Sequence, residues 1–328
     1  MKNTLSRLAA ALSIAASLLA PLGAQAADAY PSKPITLIVP WNAGGAVDLV
    51  GRKVSDLMNR NGGVNVLIEN IAGASSLIGL AKVAHAVPDG YTFGVATPSL
   101  MGAIAQRTTP LRLEDFTIMN QVGIDQLMLA VPKASPANNV EEFVKLMRTK
   151  PGGVSIGVPG SNNINHIFAA LLAKAANTEY TNVPYTGGSK VLIDLAGNHI
   201  DAGVVKPSET ISQVKGGLVK AIGVFSNSRV EAMPDLPTFA ERKVDVFPYG
   251  NVEQVTFLVG PKGVPADRLA RAQELFAQVL GSAEYRKFAV DHGMTVTDLR
   301  GANMEKVVRE VQRTFDTVAP KIFTSGVE

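Results

Sequence analysis

Cysteine is missing from all 328 residues. Its absence excludes disulfides, thiolate nucleophiles, iron–sulfur clusters, cysteine zinc sites and a lipid anchor through cysteine. Neither sign of charge dominates, with 31 Lys+Arg against 28 Asp+Glu, and two of those cations, Lys2 and Arg7, fall in a leader that has no acidic residue. That balance gives no footprint for nucleic acid. The four histidines, His85, His166, His199 and His292, are scattered and form no HExxH or HxxxH pair, so no metal site is expected. There is no G-x-S-x-G elbow, no G-x-x-x-x-G-K-[ST] loop and no G-x-G-x-x-G after a strand, and Gly187-Gly188-Ser189-Lys190 lacks the spacing of a P-loop. Hydrolase, NTPase and dinucleotide chemistry lose their main support, and no cofactor is expected.

Long apolar runs are missing too. The longest is in the leader, where a basic start is followed by an apolar stretch over residues 8–19 and the small-x-small end Ala24-Gln25-Ala26. About 12 apolar residues fall short of the roughly 20 that span a bilayer. The expectation is a secretory signal peptide over residues 1–26, cut after Ala26, and a mature chain in the periplasm.

What is present is a chain 46% hydrophobic and 18% charged, enough for a large core and a poor fit to disorder or coiled coil. Short β-rich runs alternate with helical periodicity, as in βαβ units around mostly parallel sheets. Strands are expected at Ile35–Val39, 64–68, Thr92–Ala96, 127–131, 154–157, Ala202–Val205, 220–225 and 255–259. Between them, Ala46, Val47, Leu49, Val50, Val54, Leu57 and Met58 make one helical face, and Ile164, Ile167, Phe168, Leu171, Leu172 and Ala175 another. Further helices are expected over 140–147, through Val191, Leu192 and Leu195, and along the stripe from Met304 to Val318. No short repeat and no long linker occurs, so two domains would be built from interleaved segments.

The glycine-bearing loops are the chemical feature. Gly44-Gly45, Gly160-Ser161 and Gly187-Gly188 each bare the main chain just before a helix, and Thr97-Pro98-Ser99 follows the third strand. Helix N-termini with free N–H groups favour anionic ligand groups, so the set suggests a small carboxylated ligand held largely by neutral donors. The same glycines also suit tight βα turns with or without a ligand. Asp48 in a first helical turn suits a capping role, and His166 suits a hydrogen-bonding role at the start of its helix more than that of a base for Ser161.

Seven motifs in order carry a resemblance over the mature chain. They are the leader, Tyr30-Pro31-Ser32-Lys33-Pro34-Ile35, Val39-Pro40-Trp41-Asn42-Ala43-Gly44-Gly45-Ala46-Val47-Asp48, Val87-Pro88-Asp89-Gly90-Tyr91, Val183-Pro184-Tyr185-Thr186-Gly187-Gly188, Asp194-Leu195-Ala196-Gly197 and Leu236-Pro237-Thr238. The sequence resembles the Bug family, the solute receptors of tripartite tricarboxylate transporters. The resemblance implies a type II periplasmic binding protein, two α/β lobes joined by crossing strands around a ligand cleft. It implies lobe 1 over 27–124 plus 250–328, lobe 2 over 125–249, and a monomer without catalysis that captures a small carboxylate or aromatic acid for a transporter with one large and one small integral subunit. Carried over by position, the ligand-binding residues are Trp41, Asn42, Gly44, Gly45 and Asp48; Thr97 and Ser99; Gly160, Ser161, Asn162 and His166; and Tyr185 with Gly187.

The sequence departs from the family in three places. Val47 stands where Thr or Ser is usual, Lys206-Pro207-Ser208 brings a cation near the mouth and adds Lys206 to the candidate ligand contacts, and Asn251-Val252-Glu253-Gln254 replaces a Trp-Arg-Gly run. A ligand-sensing subunit for a membrane receptor kinase is an alternative reading. A secreted hydrolase using Ser161 and His166 is another, without an elbow or an evident orienting carboxylate.

Overall fold

The computed structural model describes residues 30–250 and 254–323. The leader and Asn251, Val252 and Glu253 lie outside the described residues. The compact unit from Lys33 onward contains both sheets.

The first sheet grows from β1 (Ile35–Val39), α1 (Ala46–Asn61), β2 (Val66–Asn70), α2 (Leu77–Ala84), β3 (Thr92–Ala96) and α3 (Pro98–Ala105). β1 is a β-branched run buried except at Thr36, as expected for a parallel strand covered on both faces. α1 buries Ala46, Val47, Val50, Val54, Leu57 and Met58 of the stripe that the periodicity marks, and leaves Leu49 half-buried. Pro98 opens α3, where its missing N–H has no helical partner to lose.

The chain then forms β4 (Phe116–Asp125), β5 (Leu127–Pro132), α4 (Val140–Thr149), β6 (Ser155–Pro159), α5 (Ile164–Ala175), β7 (Thr181–Tyr185), α6 (Gly188–Ala196), β8 (Ala202–Val205), α7 (Pro207–Lys215) and β9 (Val219–Phe225). It ends with β10 (Val255–Pro261), α8 (Ala266–Leu280), α9 (Ala283–Asp291), β11 (Met294–Thr295) and α10 (Gly301–Phe323). One sheet has six strands in the order β11-β4-β10-β3-β1-β2, and the other has five in the order β7-β6-β8-β5-β9. Each contains three parallel strands, β2-β1-β3 or β7-β6-β8, flanked by an antiparallel one, β10 or β5.

The chain crosses from the first sheet to the second between Asp125 and Leu127, and returns between Phe225 and Val255. β4 and β10, which carry these crossings, pair with each other over Phe116–Ile124 through two register shifts. In β5, Leu127, Leu129 and Val131 join one core cluster while Met128 and Ala130 join another, the alternation of a strand with both faces buried. The first cluster also holds Ile38, Val259 and Phe315, so it runs through both sheets.

β4 and β7 depart most from the expectation. β4 carries no strand pattern in the sequence, because Asn120 and Gln121 interrupt its apolar alternation. Their partners are distant: Asn120 Nδ2 donates to the Gln273 carbonyl at 3.0 Å, and Gln121 Oε1 accepts from Thr297 N at 2.9 Å. β7 occupies residues read as part of a glycine loop, since Pro184 within it signals a turn but is tolerated on this edge strand.

Candidate ligand-binding site

A small cavity of about 40 Å³ lies where the helix-starting loops of the two sheets meet. Trp41, Asn42, Gly45, Thr97, Ser99, Gly187 and Lys206 line it, all expected from the sequence. Gly188, from the expected glycine loop, lines it as well, and so do Ala46, Val47, Pro159, Asn165, Glu209 and Gln254, which the sequence does not single out as contacts.

The loop after β1 is held by Asp48. One of its oxygens accepts from Gly44 N and from Arg52 Nε, both at 2.8 Å, and the other accepts from Asn70 Nδ2 at 2.8 Å. Burial works against the charge of Asp48, but these hydrogen bonds outweigh it and keep the carboxyl below its ordinary range. Asn70 Nδ2 also donates to the Trp41 carbonyl at 3.2 Å, tying the aromatic residue to the same support. Gly44 has φ +80°, a left-handed conformation that favours glycine, and nothing stands within 4 Å of where a Cβ would be. Asp48 and Gly44 therefore shape the loop from behind the cavity and do not line it. Asn42 reaches across to the other sheet, donating to Thr186 Oγ1 at 2.8 Å.

The second sheet supplies two helix starts with different roles. Ahead of α5, Gly160 has φ +94° and packs against Ser75, whose hydroxyl donates to the Ser161 carbonyl at 3.2 Å. Gln106 Nε2 donates to the Asn162 carbonyl at 2.8 Å. Asn163 caps the helix by accepting from His166 N at 3.1 Å, and His166 Nδ1 accepts from Asn162 N at 3.2 Å. Burial lowers the His166 pKa to about 4, and its ring lies 4.9 Å from that of Phe323. Gly160, Ser161, Asn162 and His166 thus join the two sheets outside the cavity, and the His166 lone pair facing Asn162 is not free to serve Ser161. Tyr185 also turns away: its hydroxyl donates to Asp194 at 2.6 Å, and burial together with that carboxylate pushes its pKa up to about 12.

At the start of α7 the charges are concentrated. Lys206, 7% exposed, places Nζ 3.6 Å from Asp125 Oδ2, which also accepts from the Ser208 hydroxyl. Burial pushes the Asp125 carboxyl up in spite of both neighbours. Glu209 spans the cavity: one oxygen accepts from Lys206 N at 3.3 Å, and the other accepts from Ala46 N at 3.2 Å, on the far sheet. Burial also raises the Glu209 pKa, against the pull of Lys206. A glutamate in the third position of a helix is a sequence signal for a local turn, but nothing in the sequence links it to Ala46.

Three polar atoms among the cavity-lining side chains are buried without a hydrogen-bond partner: Trp41 Nε1, Thr97 Oγ1 and Gln254 Oε1. A buried polar group left unmatched costs about 1–3 kcal/mol, so these three leave two donors and an acceptor available at one cavity. No group of three or more His, Asp or Glu side chains that could hold a metal occurs among the described residues. No helix among them is long and apolar enough to cross a membrane.

Comparison with known proteins agrees with this architecture. The family described as tripartite tricarboxylate transporter family receptor matches residues 50–322. A UPF0065 protein of Agrobacterium vitis is 33% identical over 251 residues, covering 75% of this chain and 71% of its own. The solved structure of MatC from Rhodopseudomonas palustris with bound malate is 25% identical, with a TM-score of 0.81 over 88% of this chain and 100% of that one. The periplasmic binding protein BugD is 25% identical, with a TM-score of 0.81 over 91% of this chain and 99% of that one.

Proposed function

The chain belongs to the family of tripartite tricarboxylate transporter receptors, and on that premise we propose that it is a periplasmic solute-binding protein that captures a small organic acid between its two lobes. The unmatched polar atoms of Trp41, Thr97 and Gln254 in one cavity carry this reading, with the Lys206 ammonium beside them. The malate seen in MatC supports an organic acid as the class of solute. Each lobe is built on one sheet, and the lobes hinge at the two crossings, after Asp125 and ahead of Val255. A membrane transporter with one large and one small integral subunit receives the solute, a role in keeping with the family. Trp41, Asn42, Gly45, Thr97, Ser99, Gly187 and Lys206 are the proposed contacts.

The test is a thermal-shift and calorimetric screen of mono-, di- and tricarboxylates, aromatic acids, and their amino and amide counterparts. A solute present at 100 times its Kd adds about 2.7 kcal/mol of stability. Scattering of the bound protein should give a smaller radius of gyration than that of the free protein. No shift and no heat with any member of the panel would remove the solute-binding role. Export is tested by mass: protein recovered from the periplasm should begin at Ala27, and retention of residues 1–26 would refute cleavage after Ala26.

A further inference from the structure

The cavity already contains a carboxylate of its own. Glu209 projects from the first turn of α7 on one sheet and accepts from the first helical N–H of α1, Ala46, on the other. Its other oxygen takes the Lys206 N–H. It also presses on the bare main chain of Gly188 at the start of α6, where a Cβ would collide with both of its oxygens. One side chain therefore meets three helix N-termini, the places where backbone N–H groups and the helix dipole best stabilise an external anion. At α1 and α7 an N–H group already has an acceptor that belongs to the protein.

The charge around the cavity points the same way. Lys206 and Glu209 are its charged lining residues, and the Lys206 ammonium is already paired with the buried Asp125. A single cation thus stands against two carboxyls. A solute with carboxylates at both ends would bring one of them against Glu209 in a desolvated site, where like charges repel far more than in water. A group with N–H donors would meet an acceptor there instead. The opposite chemistry is offered elsewhere on the lining: the Trp41 indole N–H can only donate, and the Thr97 hydroxyl, 2% exposed, is also unmatched.

We propose that Glu209 is a built-in carboxylate that selects the solute, so that the protein takes an organic acid whose other end carries an amino or amide nitrogen and rejects the matching dicarboxylate. This deepens the solute-binding reading and rests on it. In this arrangement the acid end of the solute goes to the donors Trp41 Nε1, Thr97 Oγ1 and Lys206 Nζ, and the nitrogen end goes to Glu209. The residue acts by matching one partner and repelling another, the two halves of specificity.

The experiment is calorimetry on the full mature chain with matched sets at each chain length from three to six carbons and for an aromatic acid. Each set holds the dicarboxylate, its half-amide and the corresponding amino acid, as in succinate, succinamate and 4-aminobutanoate. In the wild type, the nitrogen-bearing members should bind more tightly than the dicarboxylate by about tenfold or more, the size of one mismatched charge. Glu209→Gln, which keeps the shape and an acceptor, should reverse that order, weakening the amino acids and admitting the dicarboxylates. The wild-type ratio alone decides the matter should the variant fold poorly. A dicarboxylate that binds the wild type as tightly as its amino counterpart overturns the inference and leaves the solute-binding reading intact. Silence across every set overturns both.

Discussion

Two glycine-bearing turns lead from a strand into a helix, residues 40–45 before α1 and 160–163 before α5, and their backbone donors meet different partners. The second turn is closed by side chains near it or packed on it: Asn163 takes the His166 N–H, His166 takes the Asn162 N–H, and Ser75 and Gln106 hold the Ser161 and Asn162 carbonyls. The first turn has Asp48 to hold Gly44, while Ala46 N is left to a carboxylate from the other sheet, and Trp41, Asn42 and Gly45 face the cavity. Glycine before a helix exposes N–H groups in both cases. What those groups do depends on which side chains the rest of the fold brings to them.

That contrast can be broken in graded ways. The largest effect is expected at His166, whose pKa burial lowers from the ordinary 6.5 to about 4. Above pH 6.5 the ring is neutral both folded and unfolded, and its contribution is fully present. Between 6.5 and 4 the unfolded chain takes up a proton that the folded ring resists, so stability falls by about 3 kcal/mol over that window. Denaturant unfolding at pH 7 and pH 4.5 should show a smaller loss in His166→Gln than in the wild type. Equal losses would mean that the turn before α5 does not hold a neutral ring.

Next comes the first turn. Trp41→Ala should weaken binding of the best-bound acid in the panel by about 1–3 kcal/mol, through lost apolar contact and the lost indole donor. Because Trp41 is the only tryptophan, the wild-type emission should shift on titration with the same acid. A constant emission together with an unchanged affinity in Trp41→Ala would take residues 40–45 out of the binding site.

The smallest effect isolates the helix cap. Asn163→Ala removes the acceptor for His166 N and should lower stability by about 1 kcal/mol while leaving solute affinity as it was. A melting curve and a calorimetric titration on the same sample check both halves. A loss of affinity as large as the loss of stability would show that the 160–163 turn serves the solute directly.

Local pattern was legible wherever a segment's own residues supply its stabilisation. β1, β3, β8 and α5 were expected over the ranges they occupy, because β-branched runs and a 3.6-residue apolar period act over neighbouring positions. β2 lies two residues later than expected, at Val66–Asn70, where Glu69 and Asn70 obscure the end of the strand. β4 was not legible, since Asn120 and Gln121 are matched by residues more than 150 positions away. Among the candidate site residues, Trp41, Asn42, Gly45, Thr97, Ser99, Gly187 and Lys206 line one cavity. Asp48, Tyr185 and the group from Gly160 to His166 bond to other parts of the protein instead.

Glu209 divides the two kinds of information within one side chain. Its hydrogen bond to Lys206 N spans three residues and belongs to the local grammar of a helix start, which sequence alone determines. Its hydrogen bond to Ala46 N spans 163 residues and exists because two sheets, linked by β4 and β10, bring the first turns of α1 and α7 together. Local sequence determines which N–H groups are bare, since a helix start leaves its first donors without intrahelical partners. Only the tertiary structure decided that one of them would meet a carboxylate of the protein itself, because that choice depends on distance in space and not on spacing along the chain.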